Sequence, residues 1–179
     1  WSFDIFMREL QEVYGAYSRG EEPELEPLKV QYADFAIWQR NWLQGDVLKK
    51  QLSYWQEQLT GAPEAIELPT DYERPKELKY EGGVYTREIS GSLLQRIKAL
   101  GESEGATLFM TLLSVLNIVL YKNSGQKDLV IGSPIANRHY HEIEGLIGFF
   151  VNTLALRTKI NPRESFRELL RRVKETTLG

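Results

Sequence analysis

The sequence predicts an α/β protein with a helical first third, followed by helices alternating with short strands. Three observations carry that prediction. Apolar residues recur at helical spacing in three successive segments before residue 60. A charged, proline-punctuated stretch then breaks the pattern. Beyond it, apolar runs of strand length alternate with helical segments, which is the signature of an α/β lobe with a mixed sheet.

In residues 3–17, Phe3, Phe6, Met7, Leu10, Val13, Tyr14 and Tyr17 fall on one helical face, and Gly20 supplies the stop. Residues 21–27 are acidic and proline-containing, hence a solvated loop. A second helix spans about 31–43 with Tyr32, Phe35, Trp38 and Trp42 on its apolar side. Gly45-Asp46 breaks and recaps the chain. A third helix carries Leu48, Leu52, Trp55 and Leu59 and ends at Gly61-Ala62-Pro63. Residues 67–80, with Pro69 and Pro75, have no helical period and are expected to be an extended linker. The expected organisation is therefore 1–66 as a helical end of a first lobe, 67–80 as linker and 81–179 as a second α/β lobe.

Within that second lobe, residues 84–89 have strand character after Gly82-Gly83, and 92–104 form a helix with Leu93, Leu94, Ile97 and Leu100 inward. Thr107 is placed to cap a helix over 108–121 that is apolar almost all round, as expected of a helix packed on both sides. It is too short to cross a bilayer, which takes about 20 residues. Residues 128–135, with Leu129-Val130-Ile131, read as a buried strand, 136–144 as a polar loop and 149–158 as a second strand. Asn161-Pro162 suits the start of the last helix, whose inward residues are Phe166, Leu169, Leu170 and Val173.

Composition narrows the chemistry. The 179 residues hold 22 basic and 25 acidic side chains, a net charge of −3, which offers nucleic acid or an anionic membrane no basic face. Cysteine is absent, which excludes disulfides, thiolate metal sites and a cysteine nucleophile from this chain and is compatible with a cytoplasmic setting. His139 and His141 are the only histidines. His139-Tyr140-His141-Glu142 resembles a metal motif, yet a closed zinc site needs four ligands, so an exposed loop is the favoured reading. Gly132-Ser133-Pro134 lacks the flanking glycines of a nucleophile elbow. No glycine-rich phosphate loop occurs.

Two segments carry more. Tyr32-Ala33-Asp34-Phe35-Ala36-Ile37-Trp38 sets a carboxylate inside an aromatic helix. Ile147-Gly148-Phe149-Phe150-Val151-Asn152-Thr153-Leu154 sets Asn152 in an apolar strand. A buried amide without partners costs about 1–3 kcal/mol. Either a structural hydrogen bond or a polar handle in a substrate channel meets that requirement.

Together these two segments resemble the condensation domains of nonribosomal peptide synthetases. The first is similar to the family's Y-x-D-F-A-x-W motif, and the second, with Arg157 trailing, to its G-x-F-V-N-T motif. Leu68-Pro69-Thr70-Asp71 and Arg74-Pro75 resemble the inter-lobe segment, and residues 121–138 match a further stretch ending in Ala136-Asn137-Arg138. The resemblance covers essentially the whole chain. The catalytic H-H-x-x-x-D-G is not present, and Trp1-Ser2-Phe3-Asp4 resembles the text that follows it, so the chain is expected to begin just past the catalytic loop. The later H-Q-D-x-P-F-E is also absent.

The resemblance implies a chloramphenicol acetyltransferase-like fold of two lobes, the first incomplete here, enclosing a tunnel. It implies an acyltransferase that forms an amide between a carrier-bound acyl or peptidyl thioester and a carrier-bound aminoacyl acceptor. The alternatives are an epimerization-type isomerase of the same fold or a non-catalytic carrier-docking scaffold. No catalytic residue is expected in this chain. Asn152, Phe150 and Gly148 are expected at the tunnel, and Arg87 as an ion-pair partner of the absent motif Asp. Tyr32, Asp34, Trp38 and Arg157 are expected to be structural. The expected partners are donor and acceptor carrier domains bearing phosphopantetheine, an adenylation domain and the remainder of the same domain. No cofactor or metal of its own is expected. Phe3, Phe6, Trp38 and Trp42 would lack partners within these residues, so a covering segment or self-association is expected.

Overall fold

A computed structural model describes residues 1–73, 77 and 82–179. In chain order its elements are α1 (Ser2–Ser18), α2 (Tyr32–Trp42), α3 (Gly45–Leu59), α4 (Gly91–Ser103), α5 (Leu108–Ser124), β1 (Asp128–Ile135), α6 (His141–Glu144), β2 (Asn152–Lys159) and α7 (Phe166–Leu178). Arg74 and Pro75, and much of the expected linker, lie outside the described residues. No single helix among the described residues is long and apolar enough to cross a membrane.

The chain divides into two compact units. One joins Trp1–Gln58 to Gly132–Leu154, and the other joins Leu59–Ile131 to Ala155–Gly179. In the first unit, Ile143, Leu146 and Phe150 form a buried cluster against Val30 and Phe35. Asp34 caps α2 by accepting from the Gln31 amide at 2.8 Å, its carboxylate lying at the positive end of the helix. Phe3 and Phe6 of α1 are exposed. Trp38 and Trp42 are also exposed, at 38% and 44%, although their rings stack 5.4 Å apart and Trp38 meets Tyr140 edge-on at 5.1 Å. The 136–144 loop contains the short helix α6, which brings Tyr140 there.

In the second unit α5 packs on α4 and α7. The Thr107 hydroxyl accepts from the Met110 amide as the expected cap, and α5 closes on Gly125 in the left-handed conformation. The expectation of packing on both sides is not met. One face buries Met110, Thr111, Leu113, Ser114 and Asn117, whereas Phe109, Leu112, Val115, Leu116 and Val119 are exposed. Polar residues enter the packed face because each donates to the carbonyl one turn back: Thr111 to Thr107, Ser114 to Met110 and Asn117 to Leu113.

Three further boundaries differ from the sequence reading. Residues 84–89 form no strand, since none of the described residues pairs with them, and Val84 is 96% exposed. β2 starts at Asn152 rather than 149, because the backbone groups just before it are held by side chains. Ser2 Oγ donates to the Gly148 carbonyl, and the Tyr32 hydroxyl donates to that of Phe149. The last helix starts at Phe166, capped by Ser165, while Asn161 folds into its own turn by accepting from the Arg163 amide at 3.1 Å. The sheet expected to be mixed is, among the described residues, a two-stranded antiparallel β1-β2 pair.

Candidate functional site

The motif segment 148–151 is tied to α1, α2 and Arg138 by side-chain contacts. Ser2, at the first turn of α1, is its hub. The Ser2 hydroxyl donates to the Gly148 carbonyl at 2.8 Å, accepts from the Gly148 amide at 3.3 Å and accepts from Arg138 Nη2 at 3.0 Å. The Arg138 guanidinium also donates to the Ile143 and Glu144 carbonyls and lies 4.2 Å from the centroid of the Phe150 ring. Partial burial lowers its pKa below the usual arginine value, but it remains a cation in this setting. Stacking on a ring face offsets part of its lost hydration.

Gly148 has no room for a side chain. A Cβ there would stand 2.3 Å from Tyr32 Cδ2 and 2.9 Å from Phe150 Cε2. The Tyr32 ring meets Phe150 edge-on at 5.2 Å, and its hydroxyl donates to the Phe149 carbonyl at 3.0 Å. The aromatic face of α2 thus shapes the wall formed by the second motif. Alongside lies a cavity of about 280 Å³ lined by Trp1, Ser2, Ala136, Arg138 and residues 148–151. Its lining side chains are apolar apart from the Ser2 hydroxyl, the Arg138 guanidinium and the Trp1 indole N–H.

The sequence-derived candidates separate into groups. Gly148 and Phe150 line this cavity, with Phe150 only 3% exposed. Asn152 is exposed rather than buried, and its Oδ1 accepts from the next amide, Thr153, at 2.8 Å. Asn152 shares the strand face of Leu156 and Thr158, which are buried, but it stands at the start of β2, where the first two residues are both exposed, so the end of the strand and not its alternation sets its exposure. Tyr32, Asp34 and Trp38 belong to the α2 framework described above. Arg157 is paired with Asp128 in the second unit, Nη2 to Oδ2 at 2.6 Å and Nε to Oδ1 at 2.9 Å. That bidentate hydrogen bonding holds the Asp128 carboxyl below its ordinary range. Arg87 is exposed and lies on no strand, and its Nε donates to the Tyr85 hydroxyl at 2.7 Å. The arginine that reaches the first residues of the chain is Arg138.

Both histidines are exposed. His139 contacts Asn137 Oδ1 and His141 contacts Glu144 Oε2, each at 3.1 Å. No three metal-ligating side chains converge among the described residues. Sequence reasoning missed Ser2 and Arg138 as site residues. The signal was present only as wording, Trp1-Ser2 and Ala136-Asn137-Arg138, both in stretches that match the family text.

The condensation domain family model matches residues 1–179, the whole chain. The chain belongs to the condensation domain family. This condensation-domain chain is 51% identical over 176 residues to one of the linear gramicidin synthase proteins of Brevibacillus parabrevis, covering 98% of this chain and 3% of that protein. It is 48% identical over 179 residues to malpinin synthetase of Mortierella alpina, covering 100% of the chain and 2% of the relative. The condensation-domain chain superposes on the X-domain from teicoplanin biosynthesis with a TM-score of 0.90 at 30% identity, over 99% of this chain and 40% of that one. An X-domain complex with OxyB fits with a TM-score of 0.89, also at 30% identity, over 99% of this chain and 40% of that one. The fold is thus that of the chloramphenicol acetyltransferase-like condensation domains. The chain spans 2–3% of these two synthetases and two fifths of the X-domain.

Proposed function

We propose that this chain supplies one wall of the reaction chamber of a peptide-bond-forming condensation domain. The observation that carries the reading is the family match along all 179 residues, with 51% identity to a linear gramicidin synthase. In the proposed reaction the amine of a carrier-bound aminoacyl group attacks the thioester carbonyl of a carrier-bound acyl or peptidyl donor. The C–N bond forms, the C–S bond breaks and the donor thiol leaves with a proton. Holding two tethered reactants together is the main contribution, since well-aligned proximity is worth up to roughly 7–11 kcal/mol.

The residues present suit a pantetheine arm. A largely apolar cavity with the Ser2 hydroxyl and the Arg138 guanidinium in its lining can hold an aliphatic amide chain while exposing few competing polar groups. Gly148 and Phe150 are the wall in this reading. Asn152, one residue beyond the cavity lining, is a positioning group at its edge. These 179 residues contain no paired-histidine motif, and by themselves they are expected not to form amide bonds. Carrier and adenylation domains are the proposed partners, and the cytoplasm the proposed setting.

A second reading, a domain that docks a partner without making a bond, draws on the likeness to the X-domain whose complex with OxyB is known. One assay separates the two. The full-length protein is mixed with loaded donor and acceptor carriers, and the product is analysed by mass spectrometry and chiral chromatography. Dipeptide formation that slows in Phe150→Ala and Asn152→Ala supports condensation. Carrier binding without product supports docking, and inversion of a carrier-bound residue without amide formation supports the isomerase.

A further inference from the structure

A second cavity, of about 270 Å³, opens beside the motif helix α2 and plays no part in the function proposed above. It is lined by Val30, Asp34, Phe35, Trp38, Tyr140, Glu142 and Ile143, all within the first unit. Three of these side chains are aromatic and set at angles to one another. Phe35 and Trp38 lie 5.8 Å apart, and Tyr140 stands at 78° to Trp38 with centroids 5.1 Å apart. Both charged side chains in the lining, Asp34 and Glu142, are negative. Glu142 also borders a neighbouring cavity where Glu9, Glu24, Glu26 and Glu144 outnumber Arg8 and Lys29.

We propose that this aromatic cage is a docking site for one basic side chain, a lysine or arginine, carried by a partner polypeptide. The chemistry is complementary at both ends. Aromatic walls receive an aliphatic stem and attract a cation through their ring faces. The two carboxylates receive the charged head, and among the described residues no cation lines the cavity to compete for them. The half-open edges of Trp38 and Tyr140, 38% and 46% exposed, leave the entrance clear.

The test uses the full-length protein and a capped Gly-Lys-Gly peptide bearing a diazirine, with its norleucine counterpart as the uncharged isostere. After photolysis, labelled positions are mapped by peptide mass spectrometry. The lysine probe is expected to label the segments around Trp38 and Tyr140, about threefold or more above the norleucine probe. Glu142→Gln, at an exposed position, should remove that preference, and Trp38→Leu should abolish labelling with the melting curve of the protein recorded alongside. Equal labelling by the two probes, labelling unchanged in Glu142→Gln, or no labelling of these segments would overturn the proposal.

Discussion

Tyr32 and Gly148 fit each other so closely that a side chain at position 148 would force the ring to shift: its edge lies 2.3 Å from where a Cβ would be. The two belong to the two motifs that identify the chain. Gly148→Ala should therefore destabilise the protein by about 1–3 kcal/mol, the usual cost of overpacking. Urea denaturation with an unchanged slope checks this. In a Tyr32→Phe background the ring loses its hold on the Phe149 carbonyl and can yield, so the cost should fall, and a double-mutant cycle will read the coupling.

Ser2 serves three polar groups with one hydroxyl. Ser2→Ala leaves both backbone groups of Gly148 and one nitrogen of Arg138 short of a partner. A loss of about 1 kcal/mol is expected, with the larger share if water cannot enter. Arg138→Met keeps the stem over Phe150 while removing every hydrogen bond, and should cost about as much or more. Hydrogen exchange at the Gly148 amide should speed up in both variants.

These ties also mark the limit of what a sequence shows. Helices α1 to α5 were legible, because their apolar spacing and the Thr107 cap are local. The Ser2–Gly148 bonds join residues 146 positions apart, and no local pattern announces such a pairing. The apolar content of residues 84–89 suggested a strand, yet a strand exists only where a neighbour takes its hydrogen bonds. Asn152 reads as buried because its flanks are apolar, while it stands at the exposed first position of β2. Motif wording drew attention to Gly148 and Phe150, which line a cavity, and gave no hint of the Arg138 contact.

Stability should respond to acid through Asp128. Its folded carboxyl is held below its unfolded value by the Arg157 hydrogen bonds. The stabilisation is complete above the unfolded pKa, about 3.9, and is lost as pH falls through the lower folded value. Comparing wild type with Asp128→Asn, the stability gap should be constant from neutral pH to about 5 and shrink below about 4. A gap that stays unchanged down to the acid transition would contradict the pairing.

Thr158 is 1% exposed, and its hydroxyl has no hydrogen-bond partner among the described residues. Thr158→Val replaces that hydroxyl by a methyl of nearly the same shape. The variant should be as stable as wild type or more so, by up to about 1 kcal/mol, in contrast to most core substitutions. Thermal melting with a matched denaturant series measures it.

The backbone passes between the two units three times, after residues 58, 131 and 154. Neither unit is a continuous stretch of chain, and the Val30–Phe35 side of the first core waits for Ile143, Leu146 and Phe150, more than a hundred positions later in synthesis. A newly made chain must therefore hold its first helices unfinished until the far segment emerges, which favours slow, non-local closure. For anyone recombining synthetases, a crossover placed in the middle of these residues would pair an α2 from one parent with a Gly148 wall from another, so splice points belong outside the stretch from Ser2 to Leu154.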